Sequence, residues 1–368
     1  MQNNDIRITD FKASIVETDI PWDSQDASRG KMQGVVVQIF TDANITGTYF
    51  AWERLSTRRG IADTLVFAVK PFLMGKNPFD RELIWQTLSS WSRKGLPMIG
   101  AGAVDVCLWD IAGKAFGVPV YQLLGAYREK LRVYASTTTL GKPADYADTA
   151  KLLCAQGYTA MKLHVKGKPA WDIEACQAAR AAAPNLDIML DASGHYDRRQ
   201  ALQMGREIEK LNFRWYESPL PDNDIEGQKE LARVLDIPIA GAEYLYECNP
   251  AHYAPYIAGH VVDIVRTDAR RGITPAKKIA DMCAGFHMNC ELHSWGSIIG
   301  QAANLHVMAA IQNCEFFEQA VPLDRFEVCA KDHFTIDGEG YVHVPVRPGM
   351  GVELDWDAID KRTVYRAA

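Results

Sequence analysis

The 368-residue sequence lacks long hydrophobic runs, paired cysteines and clusters of positive charge. Its apolar runs end well before the ~18 residues of a membrane-spanning helix, and its first ten residues do not resemble a secretory signal. We therefore expect no membrane span and a cytoplasmic location. Lysine and arginine are dispersed through a chain of formal net charge -6, which excludes the basic surface needed to bind nucleic acid.

The eight cysteines are scattered singly, without the short spacings of a zinc site or a disulfide framework. We expect them to be reduced and buried. With 48% hydrophobic and 23% charged residues, the composition is that of a globular protein with a sizeable core. The length favours one large domain and a smaller one.

The first third of the sequence combines strand and helix patterns. Apolar and polar residues alternate over 6–16, 34–40 and 46–49, which predicts an antiparallel sheet. Over 61–116 the apolar spacing becomes helical and is interrupted by prolines. We therefore predict an α+β domain over residues 1–130.

From residue 131 onward, short apolar strands alternate with amphipathic helices such as 145–156 and 171–183. The strand ends recur about every 25 residues, which predicts a (β/α)₈-type barrel over 131–320. Residues 321–368 contain no further βα unit, and we expect them to pack on the N-terminal domain. The predicted strands are 133–136, 160–164, 188–191, 215–217, 239–243, 264–268, 289–293 and 315–318.

Three acidic residues close three successive predicted strands. Asp191, Glu217 and Glu243 each follow an apolar run, at equal intervals of 26 residues. Neighbouring barrel strands end at the same rim, so the three carboxylates would face one another there. Their repulsion would be costly unless a divalent cation neutralised it, and an all-oxygen set of ligands favours Mg²⁺ over zinc. The pattern predicts a magnesium site.

Each acid could instead cap the helix that follows its strand, as aspartate often does and glutamate less often. A single aspartate would favour that interpretation. We prefer a metal site because an aspartate and two glutamates stand in register at consecutive strand ends, on the rim where barrel active sites lie.

Groups that exchange protons flank the three acids. Lys162 and His164 are two positions apart on one strand, so both side chains point into the barrel. On the other side of the acids, Asp268 ends the sixth strand and His293 ends the seventh. A carboxylate beside an imidazole fixes its tautomer and raises its pKa, so we predict that Asp268 orients His293.

Two more residues lie at the same rim. His195 follows Asp191 by four positions and is expected either to contact the substrate or to be structural. Glu318 ends the eighth strand, where it could be a neutral acid that donates to the substrate carboxylate or a plain helix cap. We interpret the remaining six histidines as structural or exposed.

These motifs resemble those of the enolase superfamily, and within it the mandelate racemase subgroup, over essentially the whole chain. The resemblance implies an α/β fold, a modified TIM (β/α)₇β barrel with an α+β N-terminal capping domain completed by the C-terminal tail. The segments that carry it are Ala103–Lys114, Pro119–Gly125 (the PVYQLLG segment), Leu190–Ala192, Tyr216–Pro219, Ala242–Glu243, and His293–Gly296, which is similar to the HSWGS motif of sugar-acid dehydratases.

The chain departs from the family's pattern at three places. Lys162-Leu163-His164 stands where Lys-x-Lys is common, Ser193 stands where asparagine is usual, and the segment after Asp268 is short. Like charge from the neighbouring divalent cation is expected to disfavour the ammonium form of Lys162, and His164 is expected to be mostly neutral near pH 7, so either could be a base. We predict that Lys162 neutralises the substrate carboxylate and that His164 transfers protons on this face.

The resemblance implies Mg²⁺-dependent removal of the proton α to a carboxylate. We expect dehydration of an aldonate or aldarate to a 2-keto-3-deoxy acid. A racemase, epimerase or cycloisomerase that acts through the same enediolate is the alternative, and a noncatalytic barrel that binds a sugar acid is a third hypothesis. We expect a homo-oligomer, from dimer to octamer, and expect the capping loops over 21–31 and 46–54 to select the substrate.

Overall fold

A computed structural model describes residues 6–21, 31–53, 58–243, 245 and 248–367. Residues 22–30 and 54, which belong to the two loops expected to select the substrate, lie outside this described part. Residues 46–53 form a strand of the N-terminal sheet, so the prediction of a loop there was wrong.

The N-terminal sheet is antiparallel, as the alternating pattern predicted. It contains β1 (Ile8–Pro21), β2 (Lys31–Thr41) and β3 (Thr46–Glu53), with β2 paired to both of its neighbours. Helices α1 to α5 follow the sheet, and a π-helix, Leu65–Val69, continues α1. Their bounds are α1 Arg58–Thr64, α2 Lys70–Leu73, α3 Arg81–Trp91, α4 Met98–Phe116 and α5 Val120–Leu123.

Strand β3 lies directly against the long buried helix α4. A Cβ atom at Gly47 would stand 2.2 Å from the carbonyl oxygen of Cys107, so only glycine allows this approach of strand to helix. Helix α4 ends at Gly117, whose φ of 70° is the left-handed conformation in which helices commonly stop. The close contact fixes the N-terminal sheet on the helix that leads towards the barrel.

Eight parallel strands form the predicted barrel, in the order β10-β9-β8-β7-β6-β5-β4-β11. Strands β10 and β11, at the two ends of this order, are linked by Glu291, whose carboxylate accepts hydrogen bonds from the backbone of Glu315 and Phe316. The bounds are β4 Lys130–Thr137, β5 Ala160–His164, β6 Asp187–Asp191, β7 Tyr216–Glu217, β8 Ile239–Gly241, β9 Ile264–Thr267, β10 Asn289–Leu292 and β11 Phe316–Val321.

In the described part of the chain, seven helices connect these strands, each crossing from one parallel strand to the next as a βα barrel requires. Helices α6 and α7 confirm the amphipathic segments predicted at 145–156 and 171–183, with small shifts at their ends. The helices are α6 Pro143–Ala155, α7 Pro169–Ala182, α8 Arg198–Lys210, α9 Ile225–Val234, α10 Pro250–Ala258, α11 Ile273–Gly285 and α12 Ile298–Ala309.

The barrel interior is filled in layers. Towards the N-terminal ends of the strands lies an apolar layer of Tyr134, Ala160, Met189, Trp215, Ala240, Ile264 and Phe316. Because side chains alternate along a strand, the residue two positions later on each strand also faces inward. On five strands that residue is charged and buried, namely Lys162, Asp191, Glu217, Arg266 and Glu318.

The C-terminal tail joins both parts of the molecule. Strand β13 (Thr363–Arg366) pairs with β1, and helix α13 (Trp356–Arg362) packs on the same strand, as the tail was predicted to do. Strand β12 (Tyr341–His343), however, pairs with β4 of the barrel, which was not predicted. The boundaries proposed for three segments, 1–130, 131–320 and 321–368, stay a prediction.

All eight cysteines are free thiols. Seven are buried, but Cys154 on α6 is exposed, so the expectation of burial was wrong for that residue. Among the described residues, no helix is both long enough and apolar enough to cross a membrane.

Candidate active site

The three predicted carboxylates meet at the C-terminal rim of the barrel. Asp191 ends β6, Glu217 ends β7, and Glu243 lies just beyond β8. One oxygen of each lies within 4.8 Å of one oxygen of each of the others. Asp191 and Glu217 are buried, and Glu243 is half-buried.

Strained backbone accompanies each carboxylate. The backbone is left-handed at three residues, a conformation that residues other than glycine rarely adopt. The φ values are 49° at Ser193, 43° at Ser218 and 75° at Ala242. The Ser193 backbone N–H donates a 2.8 Å hydrogen bond to Asp191 Oδ1. At Ala242 this conformation interrupts the alternation of side chains along β8, so the side chain of the next residue, Glu243, also faces the inside of the barrel.

Two buried cations lie between these carboxylates and Glu318. Lys162 Nζ is 3.0 Å from Glu217 Oε1 and 2.8 Å from Glu318 Oε1. The second cation, Arg266, places Nε 3.0 Å from Glu217 Oε1 and Nη2 2.7 Å from Glu318 Oε2. Glu217 and Glu318 are therefore each held from two sides by positive charge.

The charges of this layer leave a deficit of positive charge. Among the described residues, the lysine and arginine side chains that face the carboxylates of Asp191, Glu217, Glu243 and Glu318 are Lys162 and Arg266, so two negative charges remain when all four carboxylates are ionised and the neighbouring histidines are neutral. A divalent cation would balance these two charges.

The deficit of positive charge affects Glu243 in particular. Burial and the nearby carboxylates of Glu217 and Asp191 raise the pKa of Glu243 well above its usual value. Its Oε2 atom is buried and has no hydrogen-bond partner among the described residues. A hard cation on the oxygens of these three side chains would offset the repulsion between the carboxylates and give Glu243 Oε2 a partner. The residues therefore fit Mg²⁺.

The environment of Lys162 differs from the one predicted. We expected a neighbouring positive charge to disfavour its ammonium form. Burial does act to lower the pKa of Lys162, but Glu217 and Glu318 raise it well above its usual value. These neighbours favour the cationic form of Lys162, which has no exposed surface, and its predicted role in neutralising the substrate carboxylate stays a prediction.

Glu318 is also ionised rather than neutral. Burial would raise its pKa, but Lys162 and Arg266 hold the pKa of Glu318 well below its usual value. An ionised carboxylate accepts hydrogen bonds and cannot donate one. The neighbours of Glu318 therefore favour the ionised form and not the neutral form that the predicted role as a donor requires.

His164 and His293 contact opposite ends of the carboxylate group. His164 Nε2 is 3.0 Å from Asp191 Oδ2, and His293 Nε2 is 3.4 Å from Glu243 Oε1. The His164 ring also lies against Trp295, with 5.2 Å between ring centroids. The arrangement puts one imidazole on each side of the site.

Asp268 lies beside His293, but a third residue takes part. The distance from Asp268 Oδ2 to His293 Nδ1 is 3.4 Å, while Arg270 Nη2 lies 3.0 Å from the same nitrogen. Arg270 also pairs with Asp268, at 2.6 Å. Burial lowers the pKa of His293 below its usual value; the contact with Asp268 acts in the predicted upward direction but offsets only part of this.

His195 is placed apart from this cluster. It is exposed on the loop after β6, where its side chain packs against Gly167. No contact between His195 and the three carboxylates is found in the described part of the chain. Its predicted role in substrate binding stays a prediction.

Arg266 and Arg270 were not predicted as site residues. Arg266 is two positions before Asp268 on the same strand, so the alternation of side chains would have indicated that both face inward. Arg270 lies in a 3₁₀ turn, Ala269–Arg271, immediately after β9, and no periodic pattern would have indicated its contact with His293.

Comparison with known families agrees with this geometry. Residues 9–125 match the model of the mandelate racemase/muconate lactonizing enzyme N-terminal domain, and residues 145–358 match that of the enolase C-terminal domain-like family. The chain belongs to the mandelate racemase/muconate lactonizing enzyme family of the enolase superfamily.

Relatives within this family have several activities. D-xylonate dehydratase of Haloferax volcanii is 27% identical over 390 aligned residues, covering 98% of this chain and 90% of that protein. D-galactarolactone cycloisomerase of Agrobacterium fabrum is 27% identical, covering 96% and 98%. A solved structure of D-glucarate dehydratase from Agrobacterium tumefaciens complexed with magnesium is 32% identical, covers 98% and 99%, and superposes with a TM-score of 0.87.

Proposed function

We propose that this member of the family is a Mg²⁺-dependent dehydratase that converts a sugar acid, an aldonate or aldarate, to a 2-keto-3-deoxy acid. The observation that carries the proposal is the carboxylate group of Asp191, Glu217 and Glu243 with an imidazole at each end. Relatives named as dehydratases of sugar acids support the same reaction class.

Asp191, Glu217 and Glu243 would hold the metal ion. When bound, Mg²⁺ would withdraw charge from the substrate carboxylate and so make the adjacent C2 proton more acidic. Lys162 and Arg266 fix the Glu217 side chain from two sides, so that it is oriented before any ion arrives. Glu318 joins these two cations and acts with them as a support for Glu217.

The two histidines would move the protons. In the reaction, a base removes the C2 proton, and the resulting enediolate expels the C3 hydroxyl after that oxygen receives a proton. Water leaves, and the enol gains a proton at C3 to become the 2-keto acid. We assign protonation of the C3 hydroxyl to His293. For substrates whose C2 hydrogen faces His164, we assign proton transfer at C2 to His164.

A racemase, epimerase or cycloisomerase is the second candidate. Imidazoles at both ends of the site could remove a proton on one face and return it on the other. A relative of the chain is named as a cycloisomerase. These reactions and dehydration differ in their products, because only dehydration releases water and leaves a 2-keto acid.

The test is a turnover assay with a panel of aldonic and aldaric acids, run with Mg²⁺ and with excess chelator. Formation of a 2-keto acid only in the presence of Mg²⁺ would support the proposal. An epimer, an enantiomer or a lactone as the only product would support the second candidate. Binding of a sugar acid without any product would support a noncatalytic barrel. The cytoplasmic location and the homo-oligomeric state stay predictions.

A further inference from the structure

Glu243 joins the group of three carboxylates by a different route from the other two. On β6 and β7 the acid stands two positions after a residue of the apolar layer, Met189 or Trp215, so alternation alone turns it inward. On β8 the corresponding position, two after Ala240, is Ala242, and Glu243 is one residue further. Regular alternation would point the Glu243 side chain out of the barrel.

The left-handed bend at Ala242, with its φ of 75°, reverses this direction. Because of the bend, Glu243 Oε1 lies 3.4 Å from His293 Nε2 and Oε2 lies 4.0 Å from Arg266 Nε, on the inside of the barrel. An alanine keeps such a conformation only where the surrounding structure holds it. The group that holds the bend therefore decides where the Glu243 carboxylate points.

The carboxylate of Asp222 contacts the bend directly. Its Oδ1 atom accepts a 3.1 Å hydrogen bond from the backbone N–H of Ala242. The direction of this bond is fixed, because an amide N–H donates and a carboxylate oxygen accepts. Asp222 is only 9% exposed and belongs to the loop between β7 and α9. It therefore joins the strand that carries Glu217 to the end of β8.

The loop that carries Asp222 is held by α9. Gln228, a fully buried residue of this helix, donates a 2.9 Å hydrogen bond from Nε2 to the carbonyl oxygen of Leu220. The backbone N–H of Asp224 donates to the carbonyl oxygen of Pro221 at 2.9 Å, and the Asp224 side chain caps α9. These bonds fix the position of the Asp222 carboxylate relative to the helix.

We propose that Asp222 is a positioning residue that holds the left-handed bend at Ala242 and so sets the inward direction of Glu243. The effect on metal binding rests on the proposed function, in which Glu243 is a ligand of Mg²⁺. The hydrogen bond from Ala242 to Asp222 does not depend on the ion. Hydrogen exchange of the Ala242 amide without Mg²⁺ and the affinity for Mg²⁺ therefore test the two parts separately.

Amide exchange tests the hydrogen bond. Metal-free protein labelled with ¹⁵N is transferred to D₂O, and the decay of the Ala242 amide signal is followed by NMR. Asp222→Ala should speed this exchange by about 10-fold, the scale of one hydrogen bond. Asp222→Asn keeps a carbonyl oxygen that can accept the same bond, so its rate should stay near that of the wild type. An unprotected Ala242 amide in the wild type, or equal rates in the wild type and Asp222→Ala, would overturn the inference.

Isothermal titration with Mg²⁺ tests the consequence for the metal site. Asp222→Ala should lower the affinity by about 10- to 100-fold, the usual cost of losing a group that orients a ligand, and Asp222→Asn should retain it. Asp263→Ala is the matched control, because Asp263 Oδ2 accepts a 2.8 Å hydrogen bond from the backbone of Ile239 at the other end of β8. This variant should bind Mg²⁺ as the wild type does. An equal loss in Asp222→Asn and Asp222→Ala would overturn the role of the hydrogen bond.

Glycine at position 242 tests the cause. Glycine adopts the left-handed conformation about as readily as the right-handed one, so the bend should no longer need the carboxylate. In an Ala242→Gly background, Asp222→Ala should therefore weaken Mg²⁺ binding by less than about threefold. Independent sites would show the same loss in both backgrounds within about twofold, and that result would overturn the inference. Protection of the Ala242 amide by Asp222 in a wild type that binds no Mg²⁺ would sink the proposed metal site and leave the role of Asp222 at the bend standing.

Discussion

At the scale of single residues, Glu217 occupies the centre of the site. It lies between Asp191 and Glu243 in strand order, and Lys162, Arg266 and the Trp215 indole all contact its carboxylate. These donors hold its orientation but also occupy part of its capacity as an acceptor. A change of charge at this position should therefore disturb metal binding more than folding.

We predict that Glu217→Gln lowers the affinity for Mg²⁺ by more than about 10²-fold, because a neutral amide is a poor ligand for a hard cation and even outer-shell changes cost 10- to 100-fold. Isothermal titration with Mg²⁺ gives the affinity, and circular dichroism checks the fold. Glu226→Gln makes the same change on the exposed face of α9 and should bind as the wild type does. Unchanged affinity in Glu217→Gln would remove this residue from the ligand set.

A second prediction concerns the two histidines. His293→Asn should reduce dehydration by about 10²-fold or more, the scale for loss of a general acid or base. Exchange of the C2 proton with solvent should survive for a substrate whose C2 hydrogen faces His164. His343→Asn, on the exposed edge of β12, is the matched control. If His164→Ala leaves exchange and dehydration untouched for every substrate tested, His164 only lines the pocket and His293 acts alone.

The positions of the three carboxylates could be predicted from the sequence, but the charges around them could not. Asp191, Glu217 and Glu243 could be predicted because each ends a strand whose hydrophobic pattern is clear. The ionisation of Lys162 and Glu318 could not, because it depends on charges that other strands bring beside them, Glu217 next to Lys162 and Arg266 next to Glu318. Which partner a buried charge meets is decided by barrel closure, and the local sequence does not contain that information.

At the scale of secondary-structure elements, the contact between β3 and α4 is among the closest in the protein. Gly47 allows it, since any larger residue would meet the backbone of Cys107 and the side chain of Ile111. The contact holds the N-terminal sheet against α4, and α4 also packs on α11 of the barrel. A larger residue at this position should therefore weaken the whole arrangement.

We predict that Gly47→Ala destabilises the protein by about 1–3 kcal/mol, the range for overpacking a close contact. The midpoint of urea unfolding should fall accordingly. Gly60→Ala is the control, because a Cβ atom there meets nothing within 4 Å and alanine favours helix α1. Equal midpoints for Gly47→Ala and the wild type would show that the strand can move away from the helix at little cost.

Elements were predicted well where one pattern dominated. The barrel strands alternate with helices at a regular interval, and all eight were found close to their predicted positions. For the segment that forms β3, a strand was predicted over 46–49 and a capping loop over 46–54, because the alternating pattern is clear only at the start of the segment. Strand β12 was missed because it has three residues and pairs antiparallel to β4, outside the βα repeat.

At the scale of the whole molecule, the inward layer of four carboxylates and two cations links metal binding to stability. Folding gathers negative charges that repel one another less in the unfolded chain, so an ion that binds only the folded site should stabilise it. We predict that Mg²⁺ raises the thermal midpoint, with a stabilisation of about 2.7 kcal/mol when its concentration is 100 times the dissociation constant.

Differential scanning fluorimetry with Mg²⁺ and with excess chelator measures this effect. The rise should disappear in Glu217→Gln and persist in Glu226→Gln. A midpoint that does not respond to Mg²⁺ in the wild type, under conditions where titration shows binding, would mean that the ion binds the unfolded chain equally well, which contradicts a site formed by folding.

The most direct test of the account is the position of deuterium in the product. An acid from the panel is incubated in D₂O with Mg²⁺-loaded protein, and the product is analysed by proton and carbon NMR. Proton removal at C2 and loss of the C3 hydroxyl predict a 2-keto acid with one deuterium at C3, formed neither with chelator nor with Glu217→Gln. Deuterium at C2 with every hydroxyl retained, or the same product without any metal, would contradict the account.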